Sequence, residues 1–428
     1  MLAVATRIRG DRAIGCRVSR SHGAAEEGAE GVTSVARPER GTRPSNRREL
    51  IGAAATELFC TRGYEHVGMG DIAEAVAVGP SALYRHFAGK QELLDFVVAG
   101  CLGSATALVD SVDLEDFDLS LPRAAEVAVS NRYTGILLGR EARHLAAGAQ
   151  ARLRVAVRHL IGRIAALLAV LRPDLDKDAA DLMAWSVVGI VLSPAFSQSD
   201  LSDKEQARLL AQLIGGILTA EAPVGYTIER RRRERTGLLP RSRREALLQE
   251  AIRLFAERRY ASVGIEDVAA SLGMAGPSVY NHFDTKMDLL VTALNRGAAY
   301  LYMQASDGLA ASDSAQDALS GLVASYVEFA LTHPALVDLL VTEVRNLPEP
   351  HRDAALTAQR DYVEEWVHLL RQCHPDRARS AARLQVQAVL SLVNLVARVP
   401  HLQATRATAG AVAEMGRHLL AVPPASSA

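Results

Sequence analysis

Residues 46–94 read NRRELIGAAATELFCTRGYEHVGMGDIAEAVAVGPSALYRHFAGKQELL, and residues 242–290 read SRREALLQEAIRLFAERRYASVGIEDVAASLGMAGPSVYNHFDTKMDLL, a constant offset of 196 residues. From Arg47 to Leu94, 18 of 48 ungapped pairs are identical. Unrelated sequences give roughly three, so the segment is a duplicated module and the protein uses it twice.

The local chemistry of each copy is helical. Asn46 or Ser242, with Glu49 or Glu245 three residues on, forms the pattern of a capping box. Leu50, Ala54, Leu58 and Phe59 in the first copy, and Leu247, Ala251, Leu254 and Phe255 in the second, recur at helical spacing and predict one buried stripe. That helix breaks at Arg62-Gly63-Tyr64 and Arg258-Arg259-Tyr260. A second helix is expected over 69–76 and 265–272, after Gly68 or Gly264 as N-cap. Ala77-Val78-Gly79 or Gly273-Met274-Ala275 then makes a tight turn into a third helix over 80–87 or 276–283, with a proline near its start where the missing N–H costs little. Two short helices around a three-residue turn make a helix-turn-helix, whose second helix fits the DNA major groove.

At these residues the chain resembles a TetR/AcrR-family transcriptional regulator, present as a tandem duplication. The resemblance rests on Ala55, Leu58, Phe59, Gly63, Tyr64, Ile72, Ala73, Leu83, Tyr84, His86, Phe87, Lys90 and Leu93. The second copy matches with Ala251, Leu254, Phe255, Tyr260, Val268, Ala269, Val279, Tyr280, His282, Phe283, Lys286 and Leu289. The chain departs from the family pattern at Ala77, where a turn glycine is usual, and at Arg259, again for a glycine; Gly79 and Ala275 stand where a capping serine is frequent. The resemblance implies an all-α fold: two modules, each a three-helix DNA-binding head plus a helical ligand-binding and dimerisation domain. It further implies that Tyr84, Tyr280, His86, His282, Lys90 and Lys286 contact the phosphate backbone. Pro80, Ser81, Ala82 and Arg85 would face base edges in copy one, and Gly276, Pro277, Ser278 and Asn281 in copy two. Arginine suits guanine and asparagine suits adenine, so the two heads are expected to read different half-sites of an asymmetric operator on double-stranded DNA.

Lys and Arg together number 48 against 49 Asp and Glu, so attraction to DNA must come from local patches. Arg37, Arg40, Arg43, Arg47 and Arg48 precede the first module, and Arg230, Arg231, Arg232, Arg233, Arg235, Arg241, Arg243 and Arg244 precede the second. Basic arms of this kind release counterions from phosphate and reach a neighbouring minor groove.

The 428-residue chain exceeds single-domain size. Glu141-x-Arg143-x-Leu145 returns as Glu343-x-Arg345-x-Leu347, and Arg172-Pro173-Asp174 as His374-Pro375-Asp376, now at an offset of 202. A whole regulator is therefore duplicated, with a loop insertion expected near 105–120 or 305–320. Prolines at Pro122, Pro173, Pro334 and Pro375 are expected at helix breaks. The expected organisation is an extension over 1–41, a first head over 42–95, a first regulatory domain over 96–222, an Arg-rich linker over 223–240, a second head over 241–291, a second regulatory domain over 292–421 and a loose tail over 422–428. By the resemblance, the dimer face is built from helices over 178–192 with 204–219 and 377–396 with 408–420. The expectation is that the two halves pair within one chain, with a homodimer as the alternative. Aromatic and polar residues on apolar stretches, Tyr133, His144, Met183 and Trp185 in the first half and Tyr326, Phe329, Tyr362, Trp366 and Asn394 in the second, are candidates to line a pocket for a small hydrophobic effector.

Cys16, Cys60, Cys101 and Cys373 lack metal-ligand or redox spacing, which suits a reduced cytoplasmic chain. No uninterrupted apolar run reaches about 18 residues, so no membrane span is expected. Residues 1–36 lack a signal-peptide core, are expected to be disordered and could precede the true start of translation. No phosphate loop, paired metal-binding histidines or nucleophile elbow is present, so neither a cofactor, a metal nor an enzyme activity is expected. The alternative to a DNA-binding regulator is an all-helical interaction scaffold whose heads have lost their affinity for DNA.

Overall fold

The computed structural model describes residues 46–197, 199–220, 226, 240–403 and 406–422. Among them there is no strand. The first head comprises α1 (Arg47–Arg62), α2 (Met69–Ala75) and α3 (Pro80–Leu83), and α4 (Lys90–Asp110) runs out of it into the regulatory part. α5 (Phe117–Ser130), α6 (Tyr133–Gly139), α7 (Ala147–Leu171), α8 (Lys177–Leu192) and α9 (Asp203–Thr219) complete the first half. The second half repeats the order with α10 (Arg243–Arg258), α11 (Ile265–Ser271), a 3-10 turn (Gly276–Asn281), α12 (Lys286–Ala310), α13 (Ala315–Thr332), α14 (Pro334–Thr342), α15 (His351–Cys373), α16 (Arg379–Ala397) and α17 (Arg406–Leu420).

The first head has a small core of its own, whereas the buried residues of the second head run on into the large core of the regulatory parts. In the first, Ile51, Ala55, Phe59, Ile72, Leu83, Phe87, Leu93 and Leu94 are fully buried. The stripe of α1 therefore lies one residue later than expected at its start, because Leu50 and Leu58 are only half-buried. In the second, Leu247, Ala251, Leu254 and Phe255 form the buried stripe as expected. The capping box of α1 does not form: Asn46 makes no side-chain cap. Ser242 accepts the Glu245 N–H, but the Glu245 carboxylate is held by Arg296 and does not return to the cap. An acceptor already engaged by a guanidinium makes the stronger, charge-assisted bond. At α2 and α11, the N-terminal N–H groups of Gly68 and Gly264 donate to Asp71 (2.6 Å) and Asp267 (2.7 Å).

The six-residue change in offset is not a loop insertion. α12 is four residues longer than α4 and α13 is four longer than α5, while the connecting loop is two residues shorter. The extra length was absorbed as helix, which satisfies its own backbone groups. Pro122 does not break a helix either; it lies inside α5. Pro173 and Pro375 fall between helices and Pro334 opens α14.

The two halves pack against each other inside the one chain, chiefly through α8 on α16, with α9 and α17 flanking them. A Cβ on Gly189 would lie 2.6 Å from Leu392 Cα and 3.2 Å from Ser391 O. Ser391 is the residue that duplicates Gly189 at the offset of 202. A position that meets its own duplicate marks a pseudo-twofold axis, the isologous geometry of a homodimer built within one polypeptide. Across this face Ser186 Oγ donates toward Met415 Sδ (3.5 Å), His401 Nε2 lies 2.8 Å from Asp181 Oδ2 and Arg398 Nη1 donates to Gly139 O (2.9 Å). Tyr226, inside the stretch expected as a linker, is buried and its hydroxyl lies 3.0 Å from Thr408 Oγ1 on α17.

Three segments, α4, Lys177–Phe196 and α16, are long and apolar enough to cross a membrane by length and composition. None of them is an uninterrupted apolar run, since a few polar residues interrupt each. For the second and third, 56% and 67% of the apolar window is buried, and their mutual packing accounts for that apolarity.

Candidate nucleic-acid interface and effector site

The recognition elements are shorter than expected. α3 ends at Leu83, and its counterpart is a 3-10 turn over Gly276–Asn281. Both are anchored by two buried residues, Leu83 and Phe87 in the first copy and Val279 and Phe283 in the second. That anchoring turns Ser81, Tyr84 and Arg85 outward in one head, and Pro277, Tyr280 and Asn281 in the other. Tyr84 is 53% exposed and Tyr280 52%, large rings that the heads themselves leave unburied. Ala82, His86, Gly276, Ser278 and His282 are half-buried at the edges of these surfaces. The side chain of Pro80 and the arm residues Arg37, Arg40, Arg43, Arg230, Arg231, Arg232, Arg233 and Arg235 lie outside the described residues. Arg241 and Arg243 are exposed and Arg47 is half-buried.

Four residues expected to touch phosphate are engaged within the protein. The Arg48 guanidinium lies 4.4 Å from the Phe87 ring centroid and 5.1 Å from that of Phe96. It also donates to His86 O (3.0 Å) and Glu92 (3.3 Å). Arg244 sits over Phe283 at 4.5 Å. Lys90 and Lys286 place Nζ 4.0 and 4.1 Å from the Tyr64 and Tyr260 centroids, and burial lowers both amine pKa values. These cation–π seats hold all four against aromatic rings of their own heads before any phosphate is met. Arg48 ties α1, the end of the recognition element and the start of α4 together.

The four first-half pocket candidates do not converge. Tyr133 is on the surface, 39% exposed, because α6 turns it outward. Met183 is buried within α8. Trp185 faces the other half, with its ring 6.5 Å from His401. His144 lies on a 3-10 turn (Glu141–His144) beneath the first head, stacked on Tyr64 at 5.0 Å. Burial, reinforced by Arg143, Arg259, Lys90 and Arg140, pushes its pKa down to about 3, so the imidazole is neutral.

The five second-half candidates do come together. Tyr326, Tyr362 and Trp366 form a triangle with ring centroids 6.0 to 6.2 Å apart. Phe329 joins at 6.5 Å from Tyr326, and the Tyr326 hydroxyl donates to Asn394 Oδ1 (2.7 Å). Burial raises the Tyr326 hydroxyl to about 12 and pushes Tyr362 up as well, so both phenols stay protonated. Trp366 is fully buried, yet its Nε1 makes no hydrogen bond within 3.5 Å among the described residues, although it faces the Tyr362 hydroxyl. Two residues on α12 escaped notice in the sequence: Tyr300 stacks on Phe329 at 5.3 Å and Tyr302 meets Tyr362 at 6.1 Å. At the offset of 202, the first half carries Ala124, Val127, Leu160, Ile164 and Leu192 in place of Tyr326, Phe329, Tyr362, Trp366 and Asn394.

Comparison with known proteins places these features in a family. The family model described as bacterial regulatory proteins, tetR family, matches residues 51–97 and again 247–293. A tetracyclin repressor-like C-terminal domain matches residues 312–398. The chain is similar to the HTH-type transcriptional repressor KstR2 of Mycolicibacterium smegmatis, 28% identical over 134 residues, or 31% of this chain and 65% of the relative. It is also similar to the HTH-type transcriptional regulator TcmR of Streptomyces glaucescens, 48% identical over 46 residues, or 11% of this chain and 20% of that one. The match thus spans less than two thirds of either relative. A TetR-family regulator from Bordetella parapertussis 12822 superimposes with a TM-score of 0.38 at 21% identity, covering 41% of this chain and 95% of that one.

Proposed function

The chain belongs to the TetR/AcrR family as two tandem modules in one polypeptide, and from that premise we propose that it is a cytoplasmic, ligand-responsive regulator, most simply a repressor, that binds one asymmetric operator. The observation that carries this reading is the pair of outward tyrosines, Tyr84 and Tyr280, on two heads held about a pseudo-twofold axis within one molecule. The flanking residues differ, Arg85 in one head and Asn281 in the other, which favours guanine at one half-site and adenine at the other. Footprinting on the DNA that flanks its own gene tests this with the parent, Tyr84→Ala and Tyr280→Ala. One protected site, with each variant losing a different half, is expected. Protection of a perfect palindrome, or none, would refute it.

The effector site belongs to the second half. Its clustered aromatic rings suit a flat apolar molecule, and the Tyr362 hydroxyl with the Trp366 N–H that faces it supply polar points that fix its orientation. α12 carries Tyr300 and Tyr302 on this cluster and begins at Lys286, directly after the second recognition element. A ligand that binds one position of α12 more tightly than another shifts the head by that difference in affinity. The fluorescent probe anilinonaphthalenesulfonate should saturate at one molecule per chain and lose its site in Trp366→Leu. Two equal sites per chain would overturn the assignment to one half.

A further inference from the structure

Arg259 ends α10 with φ 72° and ψ 144°, and Gly63 ends α1 with φ 85° and ψ 144°. The two turns are the same, and only glycine adopts that region without strain. The second copy nevertheless carries a long side chain there, and that side chain crosses to the other half. Arg259 Nη1 lies 3.4 Å from His144 Nδ1. A guanidinium only donates, so Nδ1 is the acceptor and the proton of the neutral ring is assigned to Nε2, which faces the Glu141 carboxylate at 4.0 Å. His144 is held in turn by its stack on Tyr64. Beside it, Arg143 pairs with Glu343, whose carboxylate is almost fully buried.

Neither contact has a symmetric mate. The duplicate of Arg259 and His144 would be Gly63 and Asn346; the glycine has no side chain to offer, and Asn346 Nδ2 donates to Glu343 instead (2.8 Å). The duplicate of Arg143 and Glu343 would be Arg345 and Glu141, but the Glu141 carboxylate is taken by Arg140 and by the Tyr64 N–H (2.9 Å). The junction beneath the heads is therefore asymmetric: Arg259 of the second head reaches into the first half, and Arg143 of the first half reaches Glu343 of the second.

We propose that Arg259 is a positioning residue that latches the second head to His144, with Arg143–Glu343 as its second arm, and so fixes the half-site spacing the chain reads. The inference rests on the DNA-binding reading of the heads. The strained turn persists because its side chain holds the two recognition elements at one separation.

The test is Arg259→Gly in the full chain. Removing the strain raises the melting temperature, while spin labels carried on unnatural amino acids at positions 81 and 278 report a broader distance distribution between heads. On duplexes whose half-site spacing is varied base by base, the parent prefers one spacing by about tenfold, a typical coupling, and the variant loses that preference. His144→Ala reproduces the broadening without the gain in melting temperature. A variant that melts higher but keeps the parent's label distances and spacing preference would overturn the latch, leaving Arg259 merely strained. A parent that binds no duplex overturns the DNA-binding reading and the spacing role with it, and the label distances then decide whether the latch exists.

Discussion

Ala77 and Arg259 show how a single residue marks the two copies apart. Each copy has two left-handed positions: the first fills them with Gly63 and Ala77 (φ 53°), the second with Arg259 (φ 72°) and Gly273 (φ 67°). A Cβ at positive φ costs about 1–2 kcal/mol, so Ala77→Gly should stabilise the first head by about 1 kcal/mol in urea denaturation; an unchanged or lower midpoint would show that the turn relaxes by other means. These departures were visible as letters in the sequence, but the strain they carry was not. His144 makes a second residue-scale prediction. Its folded pKa of about 3 lies below the ordinary value near 6.5, so the unfolded chain binds the extra proton between those values. Its contribution to stability is complete above about pH 6.5 and is lost as pH falls toward 3. The groups facing it are Glu65, Glu141, Arg140, Arg143, Lys90 and Arg259. In His144→Asn that component of the acid sensitivity should vanish, read as a shallower stability slope over this window than in the parent.

At the scale of elements, periodicity located the helices well and their ends poorly. α1, α8, α9, α16 and α17 fall within a few residues of expectation, because long amphipathic runs average over many residues. The recognition elements are too short for periodicity, although the buried pairs Leu83–Phe87 and Val279–Phe283 keep the spacing of one helical turn. Gly189 is where the two halves pack backbone to backbone, since any Cβ there meets the backbone of α16 at 2.6 Å. Gly189→Ala should cost about 1–3 kcal/mol through overpacking, measured by urea denaturation; a neutral result would mean that α8 and α16 can separate without penalty. In the second-half cluster, Asn394→Leu leaves the buried Tyr326 hydroxyl without its acceptor and should destabilise by about 1–3 kcal/mol, whereas Tyr326→Phe with Asn394→Leu together should recover part of that loss.

For the whole molecule, the pairing of the halves predicts that light scattering gives the mass of one chain and that one chain occupies one operator. A stable dimer of chains with four heads would contradict the internal pairing as a complete assembly. Phosphate contacts from both heads predict that affinity for DNA falls steeply and linearly on a logarithmic salt scale. An affinity insensitive to salt would favour the scaffold reading instead.

Duplication, helical class and the two helix-turn-helix heads followed from the sequence alone, since identities at a constant offset and helical periodicity are properties of order along the chain. The DNA-facing tyrosines and the departures at Ala77 and Arg259 were legible only through the family resemblance. Tertiary structure decided which residues meet. It gathered Tyr326, Phe329, Tyr362, Trp366 and Asn394 in one half and dispersed Tyr133, His144, Met183 and Trp185 in the other. It also turned Arg48 and Lys90 onto aromatic rings and brought Arg259 to His144, 115 residues away in sequence. Side-chain meetings across such separations depend on helix crossing and rotation, which no local pattern encodes.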